Sequence, residues 1–317
     1  MKVFVTGVNG QLGYDVINEV LGRGYQGIGS DIQTEYKCFP DETNLEIISY
    51  MQMDITNATS VSNILNYIRP DVVIHCAAWT AVDLAEDTDK QEIVHQVNTI
   101  GTRNIAIACR KLECKMVYIS TDYVFDGKGS EPWRPECQNY NPLNVYGRTK
   151  LEGEFAVSRL LNKYFIVRIA WVFGKNGKNF VRTMLNLGRI HNKLLVVNDQ
   201  IGTPTYTYDL SRLLVDMIET EKYGYYHVTN EGGYISWYDF AIEIFQQATR
   251  LGHSEYDINH LTVIPVTTEE YGISKARRPF NSRLDKSKLS ENGFTLLPTW
   301  QNALARYLND VYRTEIL

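Results

Sequence analysis

Lys2-Val3-Phe4-Val5-Thr6-Gly7-Val8-Asn9-Gly10-Gln11-Leu12-Gly13 is the stretch of sequence that decides the fold. Its first five residues have the composition of a short buried strand, and apolar residues at helical spacing between positions 16 and 21 indicate a helix after it. The glycines between them permit a tight turn and let the backbone approach a pyrophosphate at the helix N-terminus. The stretch therefore predicts a dinucleotide site that includes Gly7, Gly10 and Gly13. Glycines that serve only the turn are the alternative.

An acidic residue ends the second predicted strand, residues 26–30. Asp31 follows the glycines by about twenty positions, where a carboxylate binds the adenosine ribose hydroxyls and repels a 2′-phosphate. No arginine comes directly after it. The cofactor is therefore expected to be NADH or NADPH, with NADH favoured. Residues 32–48 are polar, contain Pro40 and are expected to form a surface excursion without an assigned function.

Composition and charge restrict the class of protein. The 317 residues suffice for one large or two modest domains, and the net charge of −5 without a basic run argues against nucleic acid as a partner. Five cysteines without CxxC spacing indicate reduced thiols, and the six scattered histidines predict no metal. Without a signal-like or membrane-spanning apolar run, we expect a cytoplasmic protein that does not bind membranes.

Strands and helices alternate along the first half of the chain. Further strands are predicted at residues 50–53, 72–74, 116–120 and 164–169, with helices between them, one of which is striped by Ile93, Val97 and Ile100. This alternation predicts an α/β fold, a Rossmann-type doubly wound parallel sheet with ligands at the strand carboxyl ends. Residues 1–170 are assigned to a dinucleotide-binding domain. Residues 171–317 are assigned mainly to a smaller interleaved substrate region, with segments returning to the sheet.

Two polar side chains lie one helical turn apart in the run Asn144 to Lys150. Tyr146 and Lys150, at i and i+4, project from the same helix face. A nearby ammonium favours the phenolate, so Lys150 is expected to lower the tyrosine pKa and to make Tyr146 a general acid or base. YxxxK is common on solvated helices, and only the dinucleotide site makes this pair a catalytic candidate. The small residues 76–83, including Ala77 and Ala78, follow a strand where backbone approaches a ligand closely.

Taken together, these residues resemble the dTDP-4-dehydrorhamnose reductase family, which belongs to the extended short-chain dehydrogenases/reductases. The GxxGxxG spacing of the glycines is typical of that superfamily. The runs that carry the resemblance are residues 7–13 (GVNGQLG), 77–83 (AAWTAVD), 120–125 (STDYVF), 146–154 (YGRTKLEGE), 170–172 (AWV), 179–181 (NFV), 199–205 (DQIGTPT) and 278–279 (RP).

The resemblance implies an activity and a set of site residues. NAD(P)H would deliver hydride to the C4 ketone of a nucleotide-linked 4-keto-6-deoxy sugar, with Thr121, Tyr146 and Lys150 as the catalytic trio. The residues that would face the cofactor are Gly10, Gln11, Leu12, Asp31, Asp54, Ile55, Ala78 and Thr80. Those that would line the sugar pocket are Val82, Asp122, Tyr123 and Trp171. Trp171 as a core residue is the alternative. Some family members are magnesium-linked dimers, but the first glutamate involved falls at Asp15, so a homodimer stays open and no metal is predicted.

Other activities occur on the same fold. A dehydratase carries a glutamate after Thr-Asp to eliminate water, and this chain has Tyr123 at that position. A nucleotide-sugar epimerase, or another reductase, remains an alternative. Relatives of the family also act as non-catalytic regulatory subunits of methionine adenosyltransferase. The Thr121, Tyr146 and Lys150 set favours the enzyme over that subunit.

Overall fold

The computed structural model describes residues 1–36, 49–272 and 274–313. Seven parallel strands form the central sheet in the order β11-β6-β5-β4-β1-β2-β3. Their bounds are β1 Lys2–Thr6, β2 Gln26–Asp31, β3 Ser49–Gln52, β4 Val72–His75, β5 Lys115–Thr121, β6 Tyr164–Ile169 and β11 Gly224–His227. The predicted doubly wound sheet is therefore confirmed. Most of the excursion, residues 37–48, lies outside the described residues.

Eleven helices accompany the strands in the described part of the chain. They are α1 Gln11–Gly22, α2 Ala58–Ile68, α3 Gln91–His95, α4 Thr102–Leu112, α5 Val145–Leu160, α6 Phe180–Ile190, α7 Thr207–Ile218, α8 Trp237–Arg250, α9 Thr268–Tyr271, α10 Ser287–Glu291 and α11 Trp300–Arg313. The short strands outside the main sheet are β7 Val172–Phe173, β8 Lys193–Val197, β9 Ile201–Gly202, β10 Thr205–Tyr206, β12 Ile235–Ser236 and β13 Thr262–Val266. None of these helices has the length and apolarity that crossing a bilayer requires.

Two apolar layers cover the faces of the sheet. Alternate residues of β1 point in opposite directions, so that Val3 and Val5 pack with α1 and α7. Phe4 packs on the other face with α2 and α4. A parallel strand buried on both faces needs the near-continuous apolar run that β1 shows.

The chain after residue 170 contributes both to the main sheet with its helix layer and to a separate apolar cluster. β11 pairs in parallel with β6 at the edge of the main sheet, and α7 packs against α1. A separate apolar cluster joins α6, α8 and α11 around the buried ring of Phe173. The predicted capping box is present at the start of α8, where Ser236 and Asp239 bond each other's backbone amides.

One predicted helix is interrupted. The helix striped by Ile93, Val97 and Ile100 consists of α3, a π-helical turn over Gln96–Gly101, and α4. Such π turns insert an extra residue into the helix and frequently occur at functional sites. This one lies beside the loop that follows β4.

Candidate active site

The glycine-rich turn leaves no room for side chains. Gly7 has φ +71°, and a Cβ on it would lie 2.7 Å from the amide nitrogen of Ala77. A Cβ on Gly13 would lie 2.1 Å from the carbonyl oxygen of Gly7. Helix α1 begins directly after Gly10, so its unpaired N–H groups face the carboxyl edge of the sheet. This cradle fits the pyrophosphate of a dinucleotide.

Asp31 is held beside that turn. One of its carboxylate oxygens, Oδ2, accepts a hydrogen bond from the amide of Asn9 at 3.1 Å, and Oδ1 accepts one from the amide of Ile32 at 2.8 Å. Because both bonds come from backbone, the carboxylate has a fixed position at the end of β2. A ribose with two free hydroxyls suits this place better than a ribose carrying a 2′-phosphate.

A surface cavity of about 450 Å³ extends from Ile32, the residue after Asp31, to the π turn. Its wall includes Ile32 and three carboxylates, those of Asp54, Asp89 and Glu92. Asp54 accepts two hydrogen bonds of 2.8 Å from Thr56, whereas the side chain of Ile55 is buried in the core. The size suits an adenine ring, and the negative charges disfavour an additional phosphate.

Asn98, which the sequence analysis did not single out, links the loop after β4 to α5, the helix that carries Tyr146 and Lys150. Asn98 in the π turn accepts a hydrogen bond from the amide of Trp79 at 2.8 Å and donates one to the Trp79 carbonyl at 3.2 Å. It also donates to the hydroxyl of Thr149 on α5 at 3.1 Å. The amide of Ala77 donates to Thr6 at 3.2 Å, so the first part of this loop is fixed at two points. In the sequence, the one indication of this role is that Asn98 is a polar residue next to the apolar helical stripe of Ile93, Val97 and Ile100.

Tyr146 and Thr121 meet where α5 begins and β5 ends. Asn144 caps α5 by accepting a bond from the amide of Gly147 at 2.7 Å, which puts Tyr146 in the first turn. The Thr121 hydroxyl lies close enough to that of Tyr146 to act on the tyrosine pKa. Burial raises the pKa of Tyr146 well above its ordinary value, and the carboxylate of Asp122 adds to this, while the Thr121 hydroxyl opposes it. Tyr146 is therefore held in its protonated form.

Lys150 lies one turn further along α5 and is buried. Its ammonium sits 4.2 Å from the centroid of the Tyr118 ring. Burial lowers the pKa of Lys150 to about 7, and the Glu154 carboxylate and Cys76 oppose that shift. The net shift of the Tyr146 pKa is upward, the reverse of what the tyrosine–lysine spacing predicts. Desolvation is the largest cause of that upward shift, the Asp122 carboxylate adds to it, and Lys150 is not among the groups that lower the pKa of Tyr146.

The proposed sugar side of the site is rich in aromatic rings. Tyr123 makes an edge contact with Tyr146, with centroids 5.7 Å apart. Asp122 is buried and accepts a hydrogen bond from Thr121 at 3.1 Å; burial raises the pKa of Asp122 to about 6. Next to Val82, Asp83 binds Arg278 through two contacts of 2.7 and 3.2 Å. This ion pair attaches the segment after α9 to the loop before α3.

Trp171 has an unusual backbone for its size. It adopts φ +52°, a conformation that bulky residues rarely take and that is found at functional sites. Its half-buried ring stacks on Trp237 at 3.7 Å, and a Cβ on Gly202 would lie 2.9 Å from it. Both the pocket and the core interpretations of Trp171 remain compatible with these contacts.

Other predicted residues are distributed as follows. The side chain of Leu12 lies in the core, Gln11 accepts a hydrogen bond from Asn179 at 3.2 Å, and Thr80 is exposed. Asp15 is buried near Tyr206. Within the described ranges, no group of three or more histidine, cysteine, aspartate or glutamate side chains is placed to hold a metal ion.

A parallel Rossmann sheet with a glycine-rich turn, an Asp at the end of β2 and a Tyr–Lys helix defines an extended short-chain dehydrogenase/reductase. A family model described as the RmlD substrate binding domain matches residues 1–313. The chain is 34% identical over 319 residues to dTDP-4-dehydrorhamnose reductase of Escherichia coli, with 99% of each chain covered. It is 37% identical over 311 residues to the enzyme of that name from Aggregatibacter actinomycetemcomitans, covering 96% and 97%. The chain belongs to the dTDP-4-dehydrorhamnose reductase family.

Solved structures agree with that assignment. A dTDP-4-dehydrorhamnose reductase from Clostridium acetobutylicum is 40% identical with a TM-score of 0.85, covering 98% of this chain and 100% of the other. The enzyme of that name from Bacillus anthracis, solved in complex with NADP, is 40% identical with a TM-score of 0.84 and the same coverage. The chain is also 35% identical over 311 residues to the spore coat polysaccharide biosynthesis protein SpsK of Bacillus subtilis, covering 98% and 97%.

Proposed function

We propose that this protein reduces the C4 ketone of dTDP-4-dehydrorhamnose (dTDP-4-dehydro-6-deoxy-L-mannose) to give dTDP-L-rhamnose, with NADH as the favoured cofactor and NADPH as the second. Relatives of that name cover nearly the whole chain. The observation that supports the proposal is the proximity of the Thr121 and Tyr146 hydroxyls, with Lys150 one turn further along α5, at the sheet edge that also bears the glycine-rich turn.

Several parts of the chain would hold the cofactor. The turn at residues 7–13 would bind the pyrophosphate through backbone amides, and Asp31 would accept hydrogen bonds from the adenosine ribose. The backbone of residues 77–80 would border the nicotinamide half, and Lys150 would bind its ribose. When bound, the reduced nicotinamide supplies a hydride to the ketone carbon.

Two hydroxyls of the chain then stabilise the negative charge that develops on the ketone oxygen. Tyr146 donates its proton to that oxygen, and its raised pKa keeps the proton available at neutral pH. Thr121 has one O–H, which donates to Asp122 in the structure; turned towards the substrate, it would donate a second hydrogen bond to the ketone oxygen. One well-placed donor of this kind is worth about 3–4 kcal/mol in the transition state. Lys150 supplies positive charge beside the tyrosinate that forms. The products are the secondary alcohol and the oxidised cofactor.

The sugar would lie against Val82, Asp122, Tyr123 and Trp171. These residues sit at or near the carboxyl ends of neighbouring strands, where ligands bind in open α/β sheets. We assign residues 1–170 mainly to cofactor binding and residues 171–317 mainly to the substrate. The cluster of α6, α8 and α11, which packs apart from the sheet layers, supports that division.

The test is direct. Purified protein is mixed with NADH and enzymatically made dTDP-4-dehydrorhamnose, NADH oxidation is followed by absorbance, and the product stereochemistry at C4 is read by NMR. NADH consumption with formation of the L-rhamno product supports the proposal. No NADH consumption, together with copurification of a methionine adenosyltransferase subunit, would contradict it. Isomerisation without net oxidation of NADH would point to an epimerase instead.

A further inference from the structure

A buried carboxylate lies on the same face of α5 as the two proposed catalytic side chains. Glu154 follows Lys150 by four residues and Tyr146 by eight, and its side chain is completely buried. Arg168 on β6 donates to both of its oxygens, from Nε to Oε1 and from Nη2 to Oε2, each at 2.8 Å. The hydroxyl of Ser120 on β5 donates to Oε1 at 2.5 Å.

Arg168, the partner of this carboxylate, makes further polar contacts. Arg168 also donates to the hydroxyl of Tyr140 at 2.9 Å and to the carbonyl of Pro135 at 3.2 Å. Its Nη1 lies 3.3 Å from Nε2 of His227 on β11. Each charge of this buried pair therefore depends on the other, since neither has access to water.

This network touches the catalytic residues at two points. Ser120 directly precedes Thr121 on β5, so the Glu154 bond fixes the strand next to the proposed oxyanion donor. Tyr118, two residues earlier, donates to the carbonyl of Lys150 at 3.1 Å and places its ring beneath the ammonium. Helix α5 is thus attached to β5 at two points, both of which lie just before Thr121 on the strand.

We propose that Glu154 is a positioning residue for the reduction: through Ser120 and Arg168 its buried carboxylate fixes Thr121 on β5 relative to Tyr146 and Lys150 on α5, and it supplies the negative charge that faces the Lys150 ammonium. The inference rests on the proposed function, because it assigns Glu154 a part in that reaction. Glu154 does not touch the reacting atoms and acts through its neighbours.

The groups around Lys150 come from three elements. Glu154 faces it from α5, the Tyr118 ring from β5, and His75 and Cys76 from β4 and the loop after it. Burial lowers the pKa of His75 to about 3 and raises that of the Cys76 thiol to about 12, so both are neutral at physiological pH. Of these groups, Glu154 is the one that carries a negative charge there.

The experiment compares two substitutions that separate charge from packing. Glu154→Gln keeps the size and removes the charge, whereas Glu154→Asp keeps the charge on a shorter side chain. Glu152→Gln is the matched control, because Glu152 lies on the same helix with its side chain 37% exposed. The titration midpoint of Lys150 is read from its ε-carbon NMR signal, assigned by its loss in Lys150→Met. kcat and KM are measured across pH on the same proteins.

Glu154→Gln is expected to move the Lys150 midpoint to lower pH by about one unit, because a close opposite charge is lost. The alkaline limb of the rate profile should move with it, and kcat should fall about 10–100-fold, the scale of an ångström-level misplacement. Glu154→Asp should keep the midpoint near that of the wild type, and Glu152→Gln should match the wild type throughout.

A lower thermal midpoint with an unchanged Lys150 titration and an unchanged kcat would overturn the proposal and leave Glu154 a purely structural residue. If Glu154→Gln does not fold, Glu154→Gln/Arg168→Met removes both buried charges together and is measured in its place. The NMR titration needs no substrate. If Glu154→Gln moves the Lys150 midpoint but the wild type does not reduce the keto sugar, the proposed function is refuted and the coupling between Glu154 and Lys150 is still supported.

Discussion

Replacing Tyr146 by phenylalanine removes one hydroxyl and leaves the rest of the site in place. The ring keeps its edge contact with Tyr123, whose centroid is 5.7 Å away. Thr121 loses the hydroxyl of Tyr146 as a neighbour but still donates to Asp122 at 3.1 Å and accepts from the amide of Tyr123 at 3.2 Å. Because Thr121 keeps these two hydrogen bonds, the free energy of unfolding should fall by no more than about 1.5 kcal/mol.

The effect on catalysis should be much larger than the effect on folding. Loss of a general acid lowers kcat by roughly 10²–10⁴, which corresponds to about 3–5 kcal/mol of transition-state stabilisation. NADH affinity should barely change, because the cradle around Gly7 and Gly13 and the carboxylate of Asp31 are untouched. The two effects differ enough in size to be separated in one set of measurements.

The assay uses NADH oxidation at saturating keto sugar, with Tm and the Kd for NADH measured on the same preparations. Tyr67→Phe is a suitable control, since the side chain of Tyr67 is exposed and its hydroxyl deletion should change nothing. A Tyr146→Phe protein that reduces the ketone at a near-normal rate would refute the proton-donor role, even though the fold is that of the family.

Three further substitutions test separate parts of the site. Asp31→Ala should weaken NADH binding by about 1.5–3 kcal/mol and narrow the gap to NADPH in paired titrations; a wild type that prefers NADPH tenfold would contradict this. Trp171→Ala should raise KM or lower kcat for the sugar without melting the fold, whereas several degrees lost in Tm with normal substrate binding would make Trp171 a core partner of Trp237. Lys150→Met should slow turnover and weaken NADH binding. The folded-state pKa of Lys150 lies below its unfolded value, so burial of the ammonium costs stability at low pH, and this cost is relieved as pH rises from about 7 towards the unfolded value of 10.5. Lys150→Met removes this cost and should therefore raise Tm, and thermal unfolding should show a larger gain at pH 6 than at pH 9.

Local patterns determined much of this protein. The strand, glycine-rich turn and helix at residues 2–22, the alternation that makes a parallel sheet, and the capping box at Ser236 all depend on neighbours within four residues. Helix spacing alone put Tyr146 and Lys150 on one face. These features follow from backbone geometry and side-chain period, which a sequence displays directly. The assignment of each site residue, the division at residue 170 and the homodimer stay predictions.

Tertiary structure decided the electrostatics and the distant partners. Asp83 pairs with Arg278 across 195 positions, and Asn98 reaches Trp79 and Thr149 through a π turn that apolar periodicity does not reveal. Burial raises the pKa of Tyr146 and lowers that of Lys150, and the YxxxK spacing predicts neither direction. Such shifts depend on how completely water is excluded and on which charges remain nearby, and only the packing of α5 against β5 and β6 sets both.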